Sequence, residues 1–304
     1  MSATRPPERS GASTIQGESS MKIRWLMAAV TAAAIAAPAL AQPAGTLKKI
    51  ADARSISLGY RLDAPPFSYR GANGEPTGYT VDICRRVVAA VERALNVSNL
   101  EVRWVPVTPE NRIPHVLGGT VDLECGVTTV TLGRQEQVDF SNLIFAEGGS
   151  LLVRAEDGPL RLADLAGKSV GVMAGTTTET RLRAALKERR IDARVVNVKD
   201  ENDGAAAVID RRIDAFAGDR IVLLGVGLRA GGGAVLSLGQ EDFSFEPYGL
   251  MMRRDPAFRL VVNRALAQLY AGQGIIEIYD RWFGKLGRPG ALLTAMYYLN
   301  ALAD

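Results

Sequence analysis

Apolar residues recur in two alternating patterns along the chain, every second residue in short segments and every third or fourth residue in longer ones. The two-residue pattern and extended apolar runs predict strands, at residues 55–60, 100–107, 121–125, 150–154, 168–174, 195–198, 213–218, 235–238 and 248–253. The helical pattern predicts helices, at residues 81–95, 113–117, 176–190, 205–212, 258–271 and 275–283, with a short helix within 42–54. Because strands alternate with helices, we expect an α/β fold with parallel strands.

The same order of strands and helices occurs twice, which predicts two similar lobes. We assign residues 42–149 and 250–304 to lobe 1, and residues 150–249 to lobe 2. Two extended apolar stretches, near residues 148–153 and 247–252, would then run between the lobes. Two such crossings predict a hinge made of two strands.

One stretch, Val121–Arg134, combines a strand with polar side chains. Apolar residues alternate there with Asp122 and Glu124, which predicts a half-buried strand. Its carboxyl end carries the hydroxyls of Thr128 and Thr129, and a threonine three residues before the final arginine is suited to cap a helix. Hydroxyls, free backbone N–H groups and a guanidinium favour a seat for a carboxylate. A strand, a turn and a surface arginine are the simpler interpretation of this segment alone.

Other polar residues also follow predicted strands, where the ligands of parallel α/β folds bind. They comprise two cationic, two hydroxyl and one anionic side chain, Arg61, Arg112, Thr176, Thr177 and Asp219. A free amino acid needs a guanidinium and N–H groups for its carboxylate, and a carboxylate for its ammonium. A second acidic group on the ligand would occupy the two remaining arginines. The chemistry therefore predicts recognition of a free amino acid with an acidic side chain.

The first 41 residues have the composition of a targeting segment. Residues before Met21 are polar and rich in Ser, Pro and Gly, which predicts a disordered extension. Lys22 and Arg24 then precede an apolar stretch that is too short to span a bilayer and ends in small residues. We expect a signal peptide that is cleaved after Ala41, and a mature protein in the periplasm.

Charge and composition narrow the classes of function. Removing residues 1–41 removes four of the 36 Lys and Arg and two of the 33 Asp and Glu, so the mature net charge is near +1. This charge gives no reason to expect a nucleic-acid partner. One histidine and two cysteines cannot supply a zinc-type ligand set, and we expect neither a metal nor a cofactor. Cys84 and Cys125 either form a disulfide in an oxidising compartment or remain two buried thiols.

Several motifs point to one known family. They are Pro66-Phe67-Ser68-Tyr69, Gly78-Tyr79, Asn111-Arg112-Ile113-Pro114, Leu123-Glu124-Cys125-Gly126, Thr128-Thr129, Arg134-Gln135, Phe140-Ser141, Gly175-Thr176-Thr177, Asp219 and Tyr248-Gly249. Along nearly the whole mature chain, they resemble the periplasmic solute-binding proteins of family 3, which bind polar amino acids, and among these the glutamate/aspartate-binding members. The Asn-Arg-Ile-Pro and Glu-Cys-Gly elements are quite specific.

The resemblance implies a fold, a function and a set of ligand contacts. The fold is a two-lobed Venus-flytrap of type II with two hinge strands. The protein would be a monomer, and it would not be an enzyme. It would bind L-glutamate, L-aspartate or a related polar amino acid and deliver it to the membrane permease of an ABC importer. By matching position, the α-carboxylate would be held by Thr129 and Arg134 and the α-ammonium by Asp219. The remaining contacts would be those of Arg61 and Arg112 with the side-chain carboxylate, and of Thr176 and Thr177 from the second lobe.

Three positions depart from the family pattern. Val127 and Pro109 stand where the family has serines, and Glu201 stands where it has a histidine near the side-chain carboxylate. A buried glutamate anion would repel a ligand carboxylate unless it pairs with Arg61 or Arg112. An acidic amino acid, an amide such as glutamine or asparagine, and a larger polar ligand therefore remain open.

Parts of the sequence also match two other classes of function. Residues 225–230 match a dinucleotide-binding glycine pattern, but the glycines that follow at once argue against the helix it requires. Cyclohexadienyl dehydratases, which act on prephenate or arogenate, resemble the same fold superfamily. Glu179 or Glu201 would serve such an enzyme as general acid if its pKa were raised. The binding-type arginines and Asp219 favour the binding protein.

Overall fold

The computed structural model describes residues 45–158 and 160–303. The predicted extension, signal peptide and cleavage after Ala41 lie outside the described residues. The helices are α1 (Gly45–Ala53), α2 (Tyr79–Leu95), α3 (Arg112–Leu117), α4 (Leu132–Gln135), α5 (Thr177–Glu188), α6 (Glu201–Ile209), α7 (Arg220–Arg229), α8 (Pro256–Ala271), α9 (Gly274–Phe283) and α10 (Ala291–Asn300). The strands are β1 (Ser55–Tyr60), β2 (Asp63–Ala64), β3 (Ser68–Arg70), β4 (Pro76–Thr77), β5 (Glu101–Pro106), β6 (Leu123–Glu124), β7 (Asp139–Arg154), β8 (Ser169–Met173), β9 (Arg194–Val198), β10 (Ala215–Asp219), β11 (Leu236–Leu238) and β12 (Ser244–Met252).

Most strands form one long sheet in the order β5-β1-β6-β12-β7-β10-β8-β9, with β11 beside β7. The strands are parallel in β5-β1-β6 and again in β10-β8-β9. Between these two parallel sets lie β12 and β7, which pair antiparallel. The parallel α/β prediction is confirmed, and the two apolar stretches near 148–153 and 247–252 lie in β7 and β12.

An aromatic cluster packs the centre of the sheet. The ring of Phe67 lies 4.8 Å from that of Phe145 and 5.4 Å from those of Tyr248 and Phe283. Tyr79 joins the cluster and donates its hydroxyl to the carbonyl of Ile144 at 2.8 Å. Edge-to-face aromatic pairs stabilise the packing by more than the burial of their apolar area alone. The cluster therefore ties α2 and α9 to both central strands.

Among the described residues no helix has the length and apolar character that crossing a membrane requires.

A disulfide joins Cys84 of α2 to Cys125 after β6, with the two Cα atoms 6.2 Å apart. It closes a loop over a sequence separation of 41 residues. We expect Cys84→Ala with Cys125→Ala to lower the free energy of unfolding by about 2 to 4 kcal/mol, because the unfolded chain regains the entropy of the open loop. Urea unfolding with and without a reductant measures this loss. Reduction should not destabilise the double variant further, and an unchanged wild-type midpoint under reduction would contradict the expectation.

The segment around β6 is more buried than its sequence pattern predicts. Asp122 and Glu124 are 1% and 0% exposed, so the prediction of a half-buried strand is wrong. β6 is an interior strand of the sheet, paired with β1 along one edge and with β12 along the other. Asp122 accepts hydrogen bonds from Lys49 Nζ at 2.8 Å and from the backbone of Ser57 at 3.0 Å. Partners therefore compensate for the burial of this carboxylate.

Two helices differ from the sequence-based boundaries. α6 begins at Glu201 rather than near residue 205, because Asp200 caps it by accepting a hydrogen bond from the backbone of Asp203 at 2.8 Å. α7 was not among the predicted helices; it follows Asp219 directly and ends at Arg229, just before the glycines at 231–233. Its Gly225 packs so closely that an added Cβ would lie 2.4 Å from the carbonyl oxygen of Pro65. The glycine thus permits close packing rather than ending the helix.

Candidate functional site

The polar residues that follow the strands converge on one cavity. Seven of the nine candidate ligand-binding residues line it: Arg61, Arg112, Thr129, Thr176, Thr177, Glu201 and Asp219. The cavity volume is about 20 Å³, little more than one water molecule needs. The facing walls are therefore nearly in contact, and a ligand the size of an amino acid requires them to separate.

Thr128 lies behind the wall and connects two buried charged groups. Its hydroxyl accepts a hydrogen bond from Arg112 Nη1 at 2.8 Å and donates one to Glu124 Oε2 at 2.8 Å. All three residues are at most 3% exposed. Thr128 therefore positions the guanidinium of Arg112 instead of presenting its own hydroxyl to the cavity.

The guanidinium of Arg112 retains hydrogen-bonding capacity. Among the described residues its Nε has no hydrogen-bond partner. Burial, followed by repulsion from Arg134, lowers the pKa of Arg112 to about 9, while Glu124 opposes this change. The group is still cationic at neutral pH, and one of its donors is unused. Such a group favours an incoming anion.

Arg134 also lies outside the lining and supports it. Thr131 caps α4 by accepting a hydrogen bond from the backbone of Arg134 at 3.2 Å, as the sequence predicts. Nη1 of Arg134 donates to the carbonyl oxygen of Thr129 at 2.7 Å. Burial lowers the pKa of Arg134, an effect that Glu246 opposes most strongly. The arginine thus places its charge directly beneath Thr129.

Glu246 of β12 is a site residue that the sequence analysis missed. It is fully buried, and its Oε2 accepts hydrogen bonds from Thr129 at 2.7 Å and Thr177 at 2.6 Å. Its other oxygen accepts one from Ser244 at 2.6 Å. The feature of the sequence that could have identified it is a glutamate within an extended apolar stretch. In this structure the carboxylate of Glu246 therefore accepts the hydrogen bonds that the hydroxyls of Thr129 and Thr177 would otherwise donate to a ligand.

Asp219 supplies an anionic group to the cavity lining. Its carboxylate accepts hydrogen bonds from the hydroxyls of Thr178, at 2.7 Å, and Tyr248. Burial, followed by the charge of Glu246, raises the pKa of Asp219 to about 6. Asp219 is therefore mostly ionised at neutral pH. Thr178, the third of three consecutive threonines, also lines the cavity and was not singled out from the sequence.

Arg61, Asp63 and Glu201 form the remaining end of the cavity. Arg61 Nη2 donates to Asp63 Oδ1 at 2.9 Å, and Asp63 Oδ2 accepts from the backbone N–H of Glu201 at 3.0 Å. Burial, followed by Asp63, raises the pKa of Glu201 to about 8. Arg61 thus has Asp63 as its bonded carboxylate, and Glu201 is mostly neutral at pH 7. The expected repulsion between Glu201 and a ligand carboxylate is thereby reduced.

Residues 56–285 match the model of the bacterial extracellular solute-binding proteins, family 3. The chain belongs to this family. A family 3 protein was the expectation from the motifs, and it is confirmed. Two curated relatives match over most of their length. The L-glutamate/L-aspartate-binding protein of Pseudomonas aeruginosa is 40% identical over 270 residues, 88% of this chain and 89% of the relative. The glutamate/aspartate import solute-binding protein of Salmonella typhimurium is 34% identical over 264 residues, 86% of each chain.

Solved structures support the same fold for this family 3 protein. An ancestral amino acid-binding protein, described as a precursor of cyclohexadienyl dehydratase, matches with a TM-score of 0.68 at 27% identity. The match covers 79% of this chain and 100% of that one. The predicted type II fold is confirmed by these similarities. The named curated relatives are binding proteins rather than enzymes, and the family description is extracellular.

The cavity of this family 3 protein contains several carboxylates, but they do not form a metal centre. Among residues 45–158 and 160–303, no group of three or more His, Cys, Asp or Glu side chains is arranged to hold a metal ion. Their partners are hydroxyls, backbone N–H groups and arginines. The arrangement is suited to binding charged groups of an organic ligand.

Proposed function

We propose that this protein is the substrate-binding component of an amino-acid ABC importer and binds L-glutamate or L-aspartate. The observation that carries the proposal is the charge arrangement of the cavity. Arg112 has an unused donor at one wall, and Asp219 presents a carboxylate at the other. This separation of charge suits a zwitterion with an additional acidic group. The glutamate and aspartate named for both curated relatives support the same ligand class.

We assign the ligand contacts by charge. Thr129, with Arg134 beneath it, receives the α-carboxylate once Glu246 gives up the threonine hydroxyls. Asp219 receives the α-ammonium, and Thr176 and Thr177 close over the ligand. Arg61, Arg112 and Glu201 surround its side chain.

The lobe assignment gives each wall a separate origin. Residues 42–149 with 250–304 form lobe 1, which carries Arg61, Arg112 and Thr129, and residues 150–249 form lobe 2. Lobe 2 carries the threonines after β8, together with Glu201 and Asp219. Because one chain supplies both walls, a monomer is sufficient for binding. Movement about β7 and β12 would open the cavity to the ligand.

We also propose that the protein is exported. Residues 1–41 act as a polar extension and signal peptide, and the mature protein works in the periplasm. It delivers its ligand to the membrane permease. Edman sequencing of protein recovered from a periplasmic fraction is the direct way to locate the cleavage.

A calorimetric screen of the twenty amino acids tests the function. With protein purified after export, we expect L-glutamate and L-aspartate to bind and to raise the midpoint of thermal unfolding, because they bind only the folded state. D-glutamate is the matched control, since it carries the same charges in the wrong arrangement. Absence of binding by every L-amino acid would refute the proposal.

The raised pKa of Glu201 also meets one requirement of the dehydratase alternative, a general acid that keeps its proton at neutral pH. The other candidate acid, Glu179, is engaged by the backbone of Gly175 and by Arg183. Incubation with prephenate or arogenate, followed by detection of an aromatic product, distinguishes the two functions. Formation of an aromatic product would show that the protein is an enzyme and would contradict the proposed binding function.

A further inference from the structure

Glu201 presents an unused hydrogen-bonding atom to the cavity. The residue is 7% exposed, and among the described residues its Oε2 has no hydrogen-bond partner. Oε2 lies 3.7 Å from the position that a Cβ on Gly218, another lining residue, would occupy. A buried polar atom without a partner is costly, so a ligand that satisfies it gains affinity. The free atom is at the end of the cavity that we assign to the ligand side chain.

The charged groups around Glu201 leave no positive charge to neutralise an ionised Glu201 beside a ligand carboxylate. Asp63 of β2 is bonded to Arg61, which follows β1, and so takes up the nearest positive charge. Asp219 at the end of β10 and the helix cap Asp200 add negative charge. Asp63 also accepts the N–H of Glu201, the donor that the start of α6 would otherwise offer an anion.

The other charged groups near α6 are engaged elsewhere. Arg154 of β7 donates to the carbonyl oxygen of Val208, near the far end of α6. Arg220 of α7 pairs with Asp242. Lys199 after β9 lies close to Asp203, where its backbone N–H and its charge help to lower the pKa of that carboxyl group. The environment therefore favours the neutral carboxylic acid.

We propose that the carboxyl group of Glu201 donates a hydrogen bond from its own proton to the distal carboxylate of an acidic amino acid, so that ligand binding and protonation of Glu201 favour one another. This inference rests on the proposed function. A neutral carboxylic acid has one O–H donor, and the ligand carboxylate offers only acceptors. Arg112 also lines the cavity, and its Nε, which has no partner among the described residues, supplies a second donor. The two together bind an anion without placing a second negative charge beside it.

The same group treats an amide ligand differently. Glutamine can accept the proton of neutral Glu201 with its carbonyl oxygen, or donate its NH₂ group to ionised Glu201. Its affinity is therefore insensitive to the protonation state of Glu201. Ionisation of Glu201 selectively weakens binding of the acidic ligand, because the carboxylate of the ligand then faces the carboxylate of Glu201.

The ratio of two dissociation constants tests this proposal. We expect Kd for L-glutamate divided by Kd for L-glutamine to rise about tenfold between pH 7 and pH 9, because the binding-competent fraction falls as Glu201 loses its proton. Burial raises the pKa of Glu201 to about 8, within this interval. The ratio cancels changes in groups that bind the shared α-amino and α-carboxylate groups. A flat ratio, with both ligands bound, would overturn the proposal.

Two variants assign the effect to this residue. Glu201→Gln carries an amide that donates at any pH, so its ratio should rise by no more than about twofold, the share left to Arg112, whose pKa burial lowers to about 9. Glu188→Gln, at the exposed end of α5, should keep the wild-type rise. The midpoint of thermal unfolding checks that each variant is folded. An unchanged rise in Glu201→Gln would show that another group carries the pH dependence.

Proton counting gives an independent readout. Calorimetry at pH 8.5 in two buffers with different ionisation enthalpies should show proton uptake when L-glutamate binds the wild type, and much less uptake with Glu201→Gln. Binding without uptake would reject the role of Glu201 while leaving the proposed function intact. Failure of every amino acid to bind at pH 7 would instead reject the function itself.

Discussion

Arg134→Ala is expected to abolish binding of every amino acid, whereas Arg112→Ala should weaken chiefly the acidic ones. Arg134 donates to the carbonyl of Thr129 and places its charge where we assign the α-carboxylate that all the ligands share. Removal of one partner of a buried, hydrogen-bonded charge pair costs about 2 to 5 kcal/mol, which corresponds to a loss of about 30-fold to several thousand-fold. Arg112 faces the ligand side chain, so its loss should spare alanine-sized ligands.

Calorimetry with L-glutamate, L-glutamine and a small neutral amino acid measures both variants. Arg134→Lys retains the charge without the planar fork, and it should recover only part of the affinity. Arg86→Ala, on the exposed face of α2, is the control for loss of an arginine away from the cavity. Equal losses for acidic and neutral ligands with Arg112→Ala would contradict the assignment of this arginine to the side chain.

The sequence was sufficient where a local pattern determines the structure. The alternation in residues 55–60 predicted β1 with the bounds that the structure has. Thr131 and Thr176 cap α4 and α5 because a cap depends on a hydroxyl and an N–H three residues apart. Charge and position at strand ends also identified most of the cavity lining, since parallel strands bring their carboxyl ends to one edge.

The missing parts depend on contacts between distant segments. Glu246 is paired to Thr129 and Thr177, which are 117 and 69 residues away in the sequence. Nothing local shows that this glutamate faces hydroxyls instead of solvent. The hydrogen bond from the backbone of Glu201 to Asp63 likewise joins residues that are 138 positions apart.

The site is nearly self-neutralised in this structure, and this property shapes how it binds. Glu246 takes the threonine hydroxyls, Asp63 takes Arg61, and Thr128 connects Arg112 to Glu124. A ligand must therefore replace interactions that the protein already makes. Affinity depends on the lining atoms that have no partner among the described residues, Arg112 Nε and Glu201 Oε2, which we assign to the side-chain end.

Asp219→Asn is expected to weaken binding of all amino acids by at least about 100-fold, because the α-ammonium loses its only assigned counter-charge. The pH dependence has a definite sign. Burial raises the pKa of Asp219 to about 6, so affinity for every amino acid should fall below about pH 6 as a proton replaces the ammonium. L-glutamate and L-glutamine should lose affinity in parallel there, unlike the divergence that we expect from Glu201 above pH 7.

Stability separates this role from a structural one. A carboxyl whose pKa is raised by folding destabilises the folded state when it ionises, so the cost is present at neutral pH and disappears below pH 4. Asp219→Asn should therefore leave the midpoint of thermal unfolding unchanged or raise it at pH 7, while ligand binding is lost. Asp242→Asn, which removes an exposed partner of Arg220, is the matched control and should bind normally. Normal binding by Asp219→Asn, or an equal loss in Asp242→Asn, would contradict the assignment of Asp219 to the ammonium.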